Sequence, residues 1–383
     1  MYLTTLRTVQ WRNLADADVD LSPRVNVLVG GNGQGKTNWL EAVQYLALGR
    51  SHRGSRDEEI VRFGGGHFYV RGVGQEDGGQ ALSIEAGFTP PRSKRIKVDS
   101  RPVARLSDLM GSLACVSFGP EDTELARGAP QLRRRYVDYA IAETSRAGLQ
   151  ELSDYRRVVQ QRAAVLRDGR LAGAEVERGL AAWDEEQVRI GVAVVERRSH
   201  ALAALAPRAQ EAFASLGSGL RLRLRYAVHA TGRSYDAETE LGALQADLSE
   251  GRVATAFRDR VRERRTAERA RGQSLVGPHR DDIEMTLEGR DLRRFGSQGQ
   301  CRAAAIALKM AQAGFVGAER GDRPVVVLDD VFAELDERRA SALWAVVCER
   351  YQTFLAVPRR SDAQLGQGDA VFRVEAGVLH RES

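Results

Sequence analysis

The chain contains the stretch Gly30-Gly31-Asn32-Gly33-Gln34-Gly35-Lys36-Thr37, which matches the pattern G-x-x-x-x-G-K-[ST] at every fixed position. The β-branched run at 25–29 predicts a strand before it, and the apolar stripe within 38–48 predicts a helix after it. Glycines let backbone N–H groups approach phosphate oxygens, and a helix start adds further N–H groups. Lys36 brings positive charge to the β- and γ-phosphates, and the Thr37 hydroxyl suits Mg²⁺. The stretch therefore predicts a binding loop for ATP with Mg²⁺.

A second part of the nucleotide site is predicted near residue 330. The apolar run at 325–328 predicts a buried strand, and it ends in Asp329-Asp330. Because parallel sheets present functional groups at the carboxyl ends of their strands, we expect both acids to face the phosphates. Asp329 is expected to hold Mg²⁺ together with Thr37, and Asp330 to orient and deprotonate the attacking water. The predicted catalytic residues are Asp330 and Lys36.

A third feature, Ser297-Gln298-Gly299-Gln300, precedes a long apolar helix. Serine is a preferred residue at a helix start, and such a start can bind an anion. Because one triphosphate already occupies the first loop, we expect this element to close over the γ-phosphate bound to another copy of the chain. A capped helix with no ligand is the alternative. The segment Ala333-Glu334-Leu335-Asp336 is expected at the same interface between the two copies. Asp336 is therefore also predicted to act across a homodimer.

Composition narrows the class of protein. The chain has 383 residues, 43% of them hydrophobic, which supports a packed core and excludes a disordered chain. Its net charge is +5, and only four of its 57 basic residues are lysine. Arginine suits bidentate phosphate contacts, although codon usage in a GC-rich genome explains the ratio equally well. The three cysteines lack metal-binding spacing. No apolar run reaches the roughly 18 residues of a membrane span. The pattern at the N-terminus predicts a strand and not a signal peptide. We therefore expect a cytoplasmic protein without a membrane partner.

The order of patterns predicts an α/β protein with one large insertion. Alternating runs up to residue 98 indicate strands, many of them in an antiparallel meander. The charged segment at about 131–215 and the segment 252–271 read as helices, with one strand between them. The predicted domains are a discontinuous ATPase head, 1–124 and 266–383, and an inserted, mostly helical arm, 125–265.

These features together resemble the ABC-type ATPase heads, and among them the SMC-like RecF family of bacterial recombination mediators. Ser297–Gln300 is similar to the ABC signature motif, and Ala333–Asp336 is similar to the D-loop. The resemblance to the RecF family spans nearly the whole chain and rests on four stretches: Trp11-Arg12-Asn13-Leu14, Ser51-His52-Arg53, the motif residues spaced from Pro120 to Asp138, and Gly277-Pro278-His279-Arg280-Asp281-Asp282.

The resemblance implies a mixed sheet with a P-loop core and an antiparallel meander. It also implies a slow, DNA-dependent ATPase that dimerises when ATP is bound and binds duplex DNA and gap junctions. Its implied partners are RecO and RecR, with which it promotes RecA loading at single-strand gaps. Arg12 and Asn13 would lie near the adenine or the phosphates.

Two departures from the ABC pattern affect the predicted turnover. No glutamine lies between Ser117 and Asp122, so Glu121 or Asp122 would have to replace the usual γ-phosphate sensor. No polar switch residue follows the strand at 353–357, where the chain has Val357-Pro358. Asp330 is also one methylene shorter than the usual glutamate. All three differences predict slow hydrolysis.

Several assignments stay open at the level of sequence. Arg133, Arg134 and Arg135 either grip DNA phosphates or form ion pairs within the arm, and no DNA-contacting residue can be assigned. His279 and Arg280 either sense nucleotide or pin a turn. The rival functions are the ATPase subunit of a transporter or of another SMC-like complex, and a P-loop kinase for a small molecule. Membrane-permease capture without DNA binding would favour the transporter, and a phosphorylated acceptor would favour the kinase.

Overall fold

The phosphate loop lies at the carboxyl edge of a mixed sheet, here called the core sheet. The computed structural model describes residues 1–168, 174–332 and 335–382. Neighbouring strands of the core sheet pair in parallel except at one edge hairpin, as the predicted fold class requires. In sheet order its strands are Val378–Glu382, Ala370–Glu375, Val25–Val29, Thr353–Val357, Val325–Asp329 and Cys115–Phe118.

An antiparallel sheet, here called the meander sheet, faces the same helix as the core sheet. Its strands in sheet order are Ala17–Asp20, Tyr2–Val9, Phe68–Gln75, Ala81–Thr89, Ser93–Val98 and Arg101–Pro102. The helix Lys36–Leu48, here called the loop helix, buries Trp39, Leu40 and Leu46 in one core with residues of both sheets. Burial of this apolar surface holds the end of the phosphate loop in place.

The remaining helices of this first unit are short. Among the described residues they are Asp57–Ile60, Leu106–Leu109, Glu337–Leu343, a π-helical turn at Trp344–Cys348 and a 3₁₀ turn at Arg360–Asp362. A further 3₁₀ turn, Pro120–Thr123, has residues in both units. The unit comprises Met1–Asp122, Ser215–Gly217 and Lys309–Ser383. It contains the phosphate loop, the predicted Mg²⁺ ligand Asp329 and the predicted general base Asp330.

The second unit, Thr123–Ala214 with Ser218–Leu308, is mostly helical. Its helices are Glu124–Arg127, Pro130–Thr144, Arg146–Arg167, Ala174–Ser215, Leu241–Ser249, Arg252–Arg271 and Leu292–Phe295, with a 3₁₀ turn at Pro278–Arg280. Its antiparallel sheet runs Arg233–Asp236, Leu222–Val228, Asp282–Leu287 and Arg290–Asp291. The helix Gln298–Arg320, here called the signature helix, has residues in both units.

The two compact units divide within the signature helix, so residues 266–308 pack with the second unit. The predicted division into an ATPase head, 1–124 and 266–383, and an arm, 125–265, stays a prediction. The physical reason for this packing is the strand Asp282–Leu287, which forms its backbone ladder with Leu222–Val228 of the insertion. Strand pairing over such a separation is invisible in local periodicity.

Among the described helices, none combines the length and the apolar character that crossing a bilayer requires.

Candidate nucleotide-binding site

The phosphate loop has a backbone that only glycine fits at two positions. A Cβ on Gly30 would lie 2.5 Å from the carbonyl oxygen of Val374, which is main chain and cannot swing away. Gly35 has φ 112° and starts the loop helix, in a conformation that L-residues with a Cβ rarely adopt. The loop is therefore a close-fitting backbone cradle that leads into a helix start, the arrangement that binds phosphate oxygens.

Lys36 lies beneath this cradle with only 5% of its surface exposed. Its Nζ donates to the carbonyl oxygens of Gly30 at 2.7 Å and Gly31 at 3.1 Å. An ammonium group has three N–H donors, so one remains for a phosphate oxygen. Carbonyl oxygens of the loop thus hold its own lysine in position.

Thr37 and Asp329 meet at the predicted Mg²⁺ position. The Thr37 hydroxyl donates to Oδ1 of Asp329 at 3.3 Å. Burial raises the pKa of Asp329 to about 6, and the nearby charges of Asp330 and Glu121 act in the same direction. A hydroxyl and a carboxylate side by side are hard oxygen ligands, and a dication would relieve the crowding of negative charge. These residues fit Mg²⁺, which would neutralise charge on the phosphates when bound.

Asp330 has two unusual features next to this position. Its φ of 51° lies in the left-handed region, which Asp and Asn tolerate better than other non-glycine residues. Its Oδ1 is buried and lacks a hydrogen-bond partner among the described residues. A buried carboxylate oxygen without a partner is costly, and such oxygens are common where a water or an ion binds. This geometry suits the predicted role in holding a water molecule.

Arg12 and Asn13 make contacts with the protein itself. Arg12 forms a bidentate ion pair with Glu41 of the loop helix, at 2.8 and 2.9 Å. Burial raises the pKa of Glu41, but hydrogen bonds from Arg12 and Ser51 outweigh it, so the net pKa is lowered. Asn13 accepts a hydrogen bond from Asn38 at 2.7 Å. Both residues therefore border the start of the loop helix, and their contact with adenine or phosphate stays a prediction.

Arg53 is a cation near this site to which no role was assigned from the sequence. Its guanidinium lies 3.2 Å from Oδ1 of Asn38 and is about half exposed. The motif Ser51-His52-Arg53 is the signal in the sequence that points to this residue. A basic motif directly after a phosphate-loop helix is a cue for a further ligand-facing charge.

The two acids considered as a replacement for the sensor glutamine behave differently. Asp122 forms an ion pair with Lys309 at 3.2 Å and accepts from the backbone N–H of Gly119. Glu121, in contrast, contributes to the raised pKa of Asp329. Of the two, Glu121 is the residue whose charge reaches the predicted Mg²⁺ position.

The region of the missing switch residue contains two arginines instead. Arg360 and Arg373 both pair with Glu382, at 3.0 and 2.8 Å. Together with Gly30 and Gly31 they line a cavity of about 730 Å³. Glu375 and Glu382 line the same cavity, so the two arginine charges are balanced there, and the position after the core strand itself is apolar.

The signature residues form a reciprocal cap. The Ser297 hydroxyl accepts from the N–H of Gln300 at 3.2 Å, and Oε1 of Gln300 accepts from the N–H of Ser297 at 2.8 Å. These residues and Gln298 and Gly299 belong to the second unit, whereas the phosphate loop belongs to the first. The cap orders the helix start, and action across a dimer stays a prediction.

Asp336 caps a different helix. Its carboxylate accepts from the N–H of Arg339 at 2.9 Å, at the start of Glu337–Leu343. The two preceding D-loop residues, Ala333 and Glu334, lie outside the described residues. The predicted role of Asp336 at a seam between copies therefore remains a prediction.

The arginine run of the second unit makes internal contacts at two of its three positions. Arg133 is 4% exposed and pairs with both oxygens of Asp282 at 2.8 Å. Arg134 donates to the carbonyl oxygen of Asp281 at 2.6 Å. Only Arg135 of the three is exposed. These contacts favour the structural interpretation for Arg133 and Arg134.

His279 also has a structural position. Its Nε2 lies 3.0 Å from the carbonyl oxygen of Ser274, which can only accept, so Nε2 carries the hydrogen. Its Nδ1 then accepts from the Tyr155 hydroxyl at 2.8 Å. Burial lowers the pKa of His279 to about 4. The ring is therefore neutral at pH 7 and joins two segments of the second unit.

A pH prediction follows from this ring. The histidine pKa is about 6.5 in an unfolded chain and about 4 here, so its contribution to stability is complete above pH 6.5 and is lost as the pH falls toward 4. We expect the free energy of unfolding to fall by at most about 3 kcal/mol more in the wild type than in His279→Gln over that range. Denaturant titrations at several pH values measure this difference, and parallel curves would contradict it.

Comparison with known proteins places the fold in a class. The fold is that of an ABC-type ATPase head of the SMC kind. Its defining features are a phosphate loop followed by the loop helix, acids at the end of a parallel strand, and an added antiparallel sheet. Residues 2–376 match the model of the RecF/RecN/SMC N terminal domain. The Smc head bound to the C-winged helix domain of ScpA has a TM-score of 0.57 at 15% identity, with 100% of this chain and 97% of that chain covered, which shows the fold alone.

The chain belongs to the RecF family. It is 36% identical to the DNA replication and repair protein RecF of Heliobacterium modesticaldum over 390 residues, with 100% of both chains covered. It is also 36% identical to the RecF of Symbiobacterium thermophilum, covering 99% and 98%. The structure of the recombination mediator protein RecF-ATP in the RecFOR pathway matches with a TM-score of 0.88 at 29% identity, covering 100% of this chain and 98% of that chain.

Proposed function

We propose that the chain is an ATP-gated DNA-binding protein of replication and recombinational repair. The observation that carries this proposal is the pre-formed cradle at Gly30–Thr37, with Lys36 held beneath it and Asp329 beside Thr37. A solved relative carries ATP, which supports ATP as the nucleotide here. Mg²⁺ is the ion that best suits the hydroxyl and carboxylate pair.

In this proposal two copies close around two ATP molecules. The phosphate loop of one copy supplies the cradle, and the self-capped start of the signature helix in the other copy supplies N–H groups for the γ-phosphate. Asp336 would lie at the same interface between the two copies. ATP binding then favours the dimer because the triphosphate bridges two protein surfaces, and hydrolysis releases it.

DNA binding would follow dimerisation. In this proposal the protein acts in the cytoplasm with RecO and RecR and promotes RecA loading at single-strand gaps with duplex junctions. The RecF family name and the RecFOR pathway of the solved relative support the role in repair with RecO and RecR. The ATP would then serve as a switch, and the hydrolysis rate would set how long the dimer stays on DNA.

Slow turnover is part of the proposal. Asp330 has a short side chain, the usual glutamine is absent between Ser117 and Asp122, and the position after Val357 holds proline. Each difference weakens an interaction that would stabilise the transition state. We expect hydrolysis well below the enzyme median of about 10 s⁻¹.

Light scattering tests the proposed function. We expect the mass to double when ATP and Mg²⁺ are added, and we expect duplex DNA with a gap to bind only to the doubled species. ADP provides the control. A monomer that binds gapped DNA equally well with ADP, ATP or no nucleotide would contradict the proposal.

Asp330→Asn tests the proposed general base. Asparagine tolerates the left-handed backbone at this position, so the fold should be unchanged. An amide cannot take a proton from water, so we expect hydrolysis to fall at least about 100-fold while ATP binding persists. ATP-loaded dimers should therefore accumulate. Steady-state phosphate release with a filter-binding control measures both, and unchanged hydrolysis would assign the base to another residue.

A further inference from the structure

We propose that the outer edge of the meander sheet is a surface for the sugar–phosphate backbone of duplex DNA. The surface, here called the basic edge, consists of the exposed residues Arg92, Arg95, Lys97 and Arg101 on and beside the strands Ser93–Val98 and Arg101–Pro102. The inference rests on the proposed function as a DNA-binding protein and assigns that binding to a place.

The basic edge carries the charge excess of the chain. Residues 90–105 contain six basic residues and one acid, a net charge of +5, which equals that of the whole protein. The rest of the chain has 51 basic and 51 acidic residues and is balanced. This segment is therefore one of the places to which net charge would draw a polyanion.

Ion pairing separates this segment from an equally charged one. The helix Arg252–Arg271 has eight arginines and three acids, also +5, but many of these arginines pair with acids. Examples are Arg258 with Glu185 at 3.0 Å and Arg252 with Asp247 at 2.6 Å. Among the described residues, no acid lies within ion-pair distance of the four basic-edge side chains.

The acids nearest to the basic edge are engaged elsewhere. Glu85 lies directly opposite Lys97 in the sheet, but its ion pair is with Arg71 at 3.9 Å. Asp57 pairs with Lys94, whose side chain is half-buried, at 2.8 Å. Neither acid forms an ion pair with a basic-edge side chain.

The shape of the basic edge suits an extended anion. Arg95 and Lys97 are alternate residues of one strand, so they project from the same face about 7 Å apart. Arg101 lies on the adjacent strand directly opposite Val98, so its exposed side chain leaves the other face of the sheet at the same edge. The six-residue strand is about 20 Å long, over which one DNA strand presents about six phosphates. Exposed cations spread along the edge of a sheet fit an extended phosphate backbone better than a small anion.

Protection of an exposed sheet edge is the alternative role for these charges. Edge strands commonly carry charge to prevent pairing with other chains, and either sign achieves this. The two roles differ in their dependence on sign: a negative edge would still resist aggregation but would repel DNA.

The experiment measures ATP-dependent binding to duplex DNA over a range of salt concentrations. In Arg95→Gln with Lys97→Gln, we expect the slope of log affinity against log salt to fall by about 1.8, and affinity at moderate salt to fall about 10-fold. Arg92→Gln with Arg101→Gln provides a second, independent pair. The matched control is Arg258→Gln with Arg262→Gln, which removes the same charge from ion-paired positions.

The outcomes distinguish this inference from the proposed function. ATP-dependent dimerisation should be unchanged in all three double variants, since none alters the nucleotide site. Wild-type slope and affinity in both basic-edge variants, or an equal loss in the control, would overturn the inference while leaving the proposed function intact. Absence of DNA binding by the wild type would overturn the proposed function itself. A reversed pair, Arg95→Glu with Lys97→Glu, should stay soluble and lose more affinity than the glutamine pair.

Discussion

Lys36→Arg is expected to abolish ATP-induced dimerisation and to weaken ATP binding about 100-fold, while the fold is retained. The Lys36 side chain is buried beneath the loop, with its Nζ held by the carbonyl oxygens of Gly30 and Gly31. The compact ammonium fits between these oxygens and the phosphates, whereas a planar guanidinium is larger and has a fixed fork of donors. Loss of one or two charge-assisted hydrogen bonds accounts for an effect of about 100-fold.

A fluorescent ATP analogue measures the affinity, and light scattering measures the dimer. Lys94→Arg is the matched control, because Lys94 keeps its ion pair with Asp57 away from the loop. A normal ATP-dependent dimer in Lys36→Arg would mean that the phosphate loop is not the site that drives pairing.

Ser297→Arg is expected to leave ATP binding by the monomer intact and to stop dimerisation at any ATP concentration used for the wild type. Ser297 caps the signature helix, and arginine both removes this cap and places a long cation where the γ-phosphate of another copy is expected. The phosphate loop belongs to the other unit of the chain and keeps its own contacts. The two effects, binding and pairing, should therefore separate.

Ser145→Arg is the control for lost capping. Ser145 accepts a hydrogen bond from the N–H of Gly148 at 3.0 Å and caps another helix of the second unit. Its replacement should cost a similar stability, about 1 kcal/mol, and leave pairing unchanged. If Ser297→Arg instead abolished nucleotide binding by the monomer, the signature residues would belong to the same pocket as the loop of their own chain.

The phosphate loop and its flanking elements could be predicted because their chemistry is local. The strand Val25–Val29, the loop and the loop helix occupy consecutive residues, and the glycine and lysine positions follow from phosphate binding itself. The strand that ends in Asp329 was predictable for a related reason, since a fully buried strand shows a continuous apolar run.

Contacts between distant residues could not be predicted in this way. Arg162 reads as one more charge on a helix, yet it is fully buried and bonds to Glu268, Asp184 and Ser274. Its three partners are 22 to 112 residues away in sequence. A buried charge is tolerated only where such partners converge, and convergence is a property of the fold.

The same reason explains two features near the site. The bidentate pair between Arg12 and Glu41 joins residues 29 positions apart. Nothing in the sequence around Glu41, a carboxylate within the apolar loop helix, indicates that Arg12 is its partner. The left-handed backbone of Asp330 depends on the strand end and the following turn. The surrounding structure holds the backbone in such a conformation, so the residue types alone do not predict it.

The claim on which the account depends is that each ATP is enclosed by two different copies. The most direct measurement mixes Lys36→Arg with Ser297→Arg, neither of which should dimerise alone, and follows mass by light scattering with ATP and Mg²⁺. A mixed dimer has one site with both changes and one site with neither. The account predicts that mixing restores an ATP-dependent dimer and about half of the wild-type hydrolysis. A mixture that remains monomeric, although each variant is folded and Ser297→Arg still binds ATP, would contradict it.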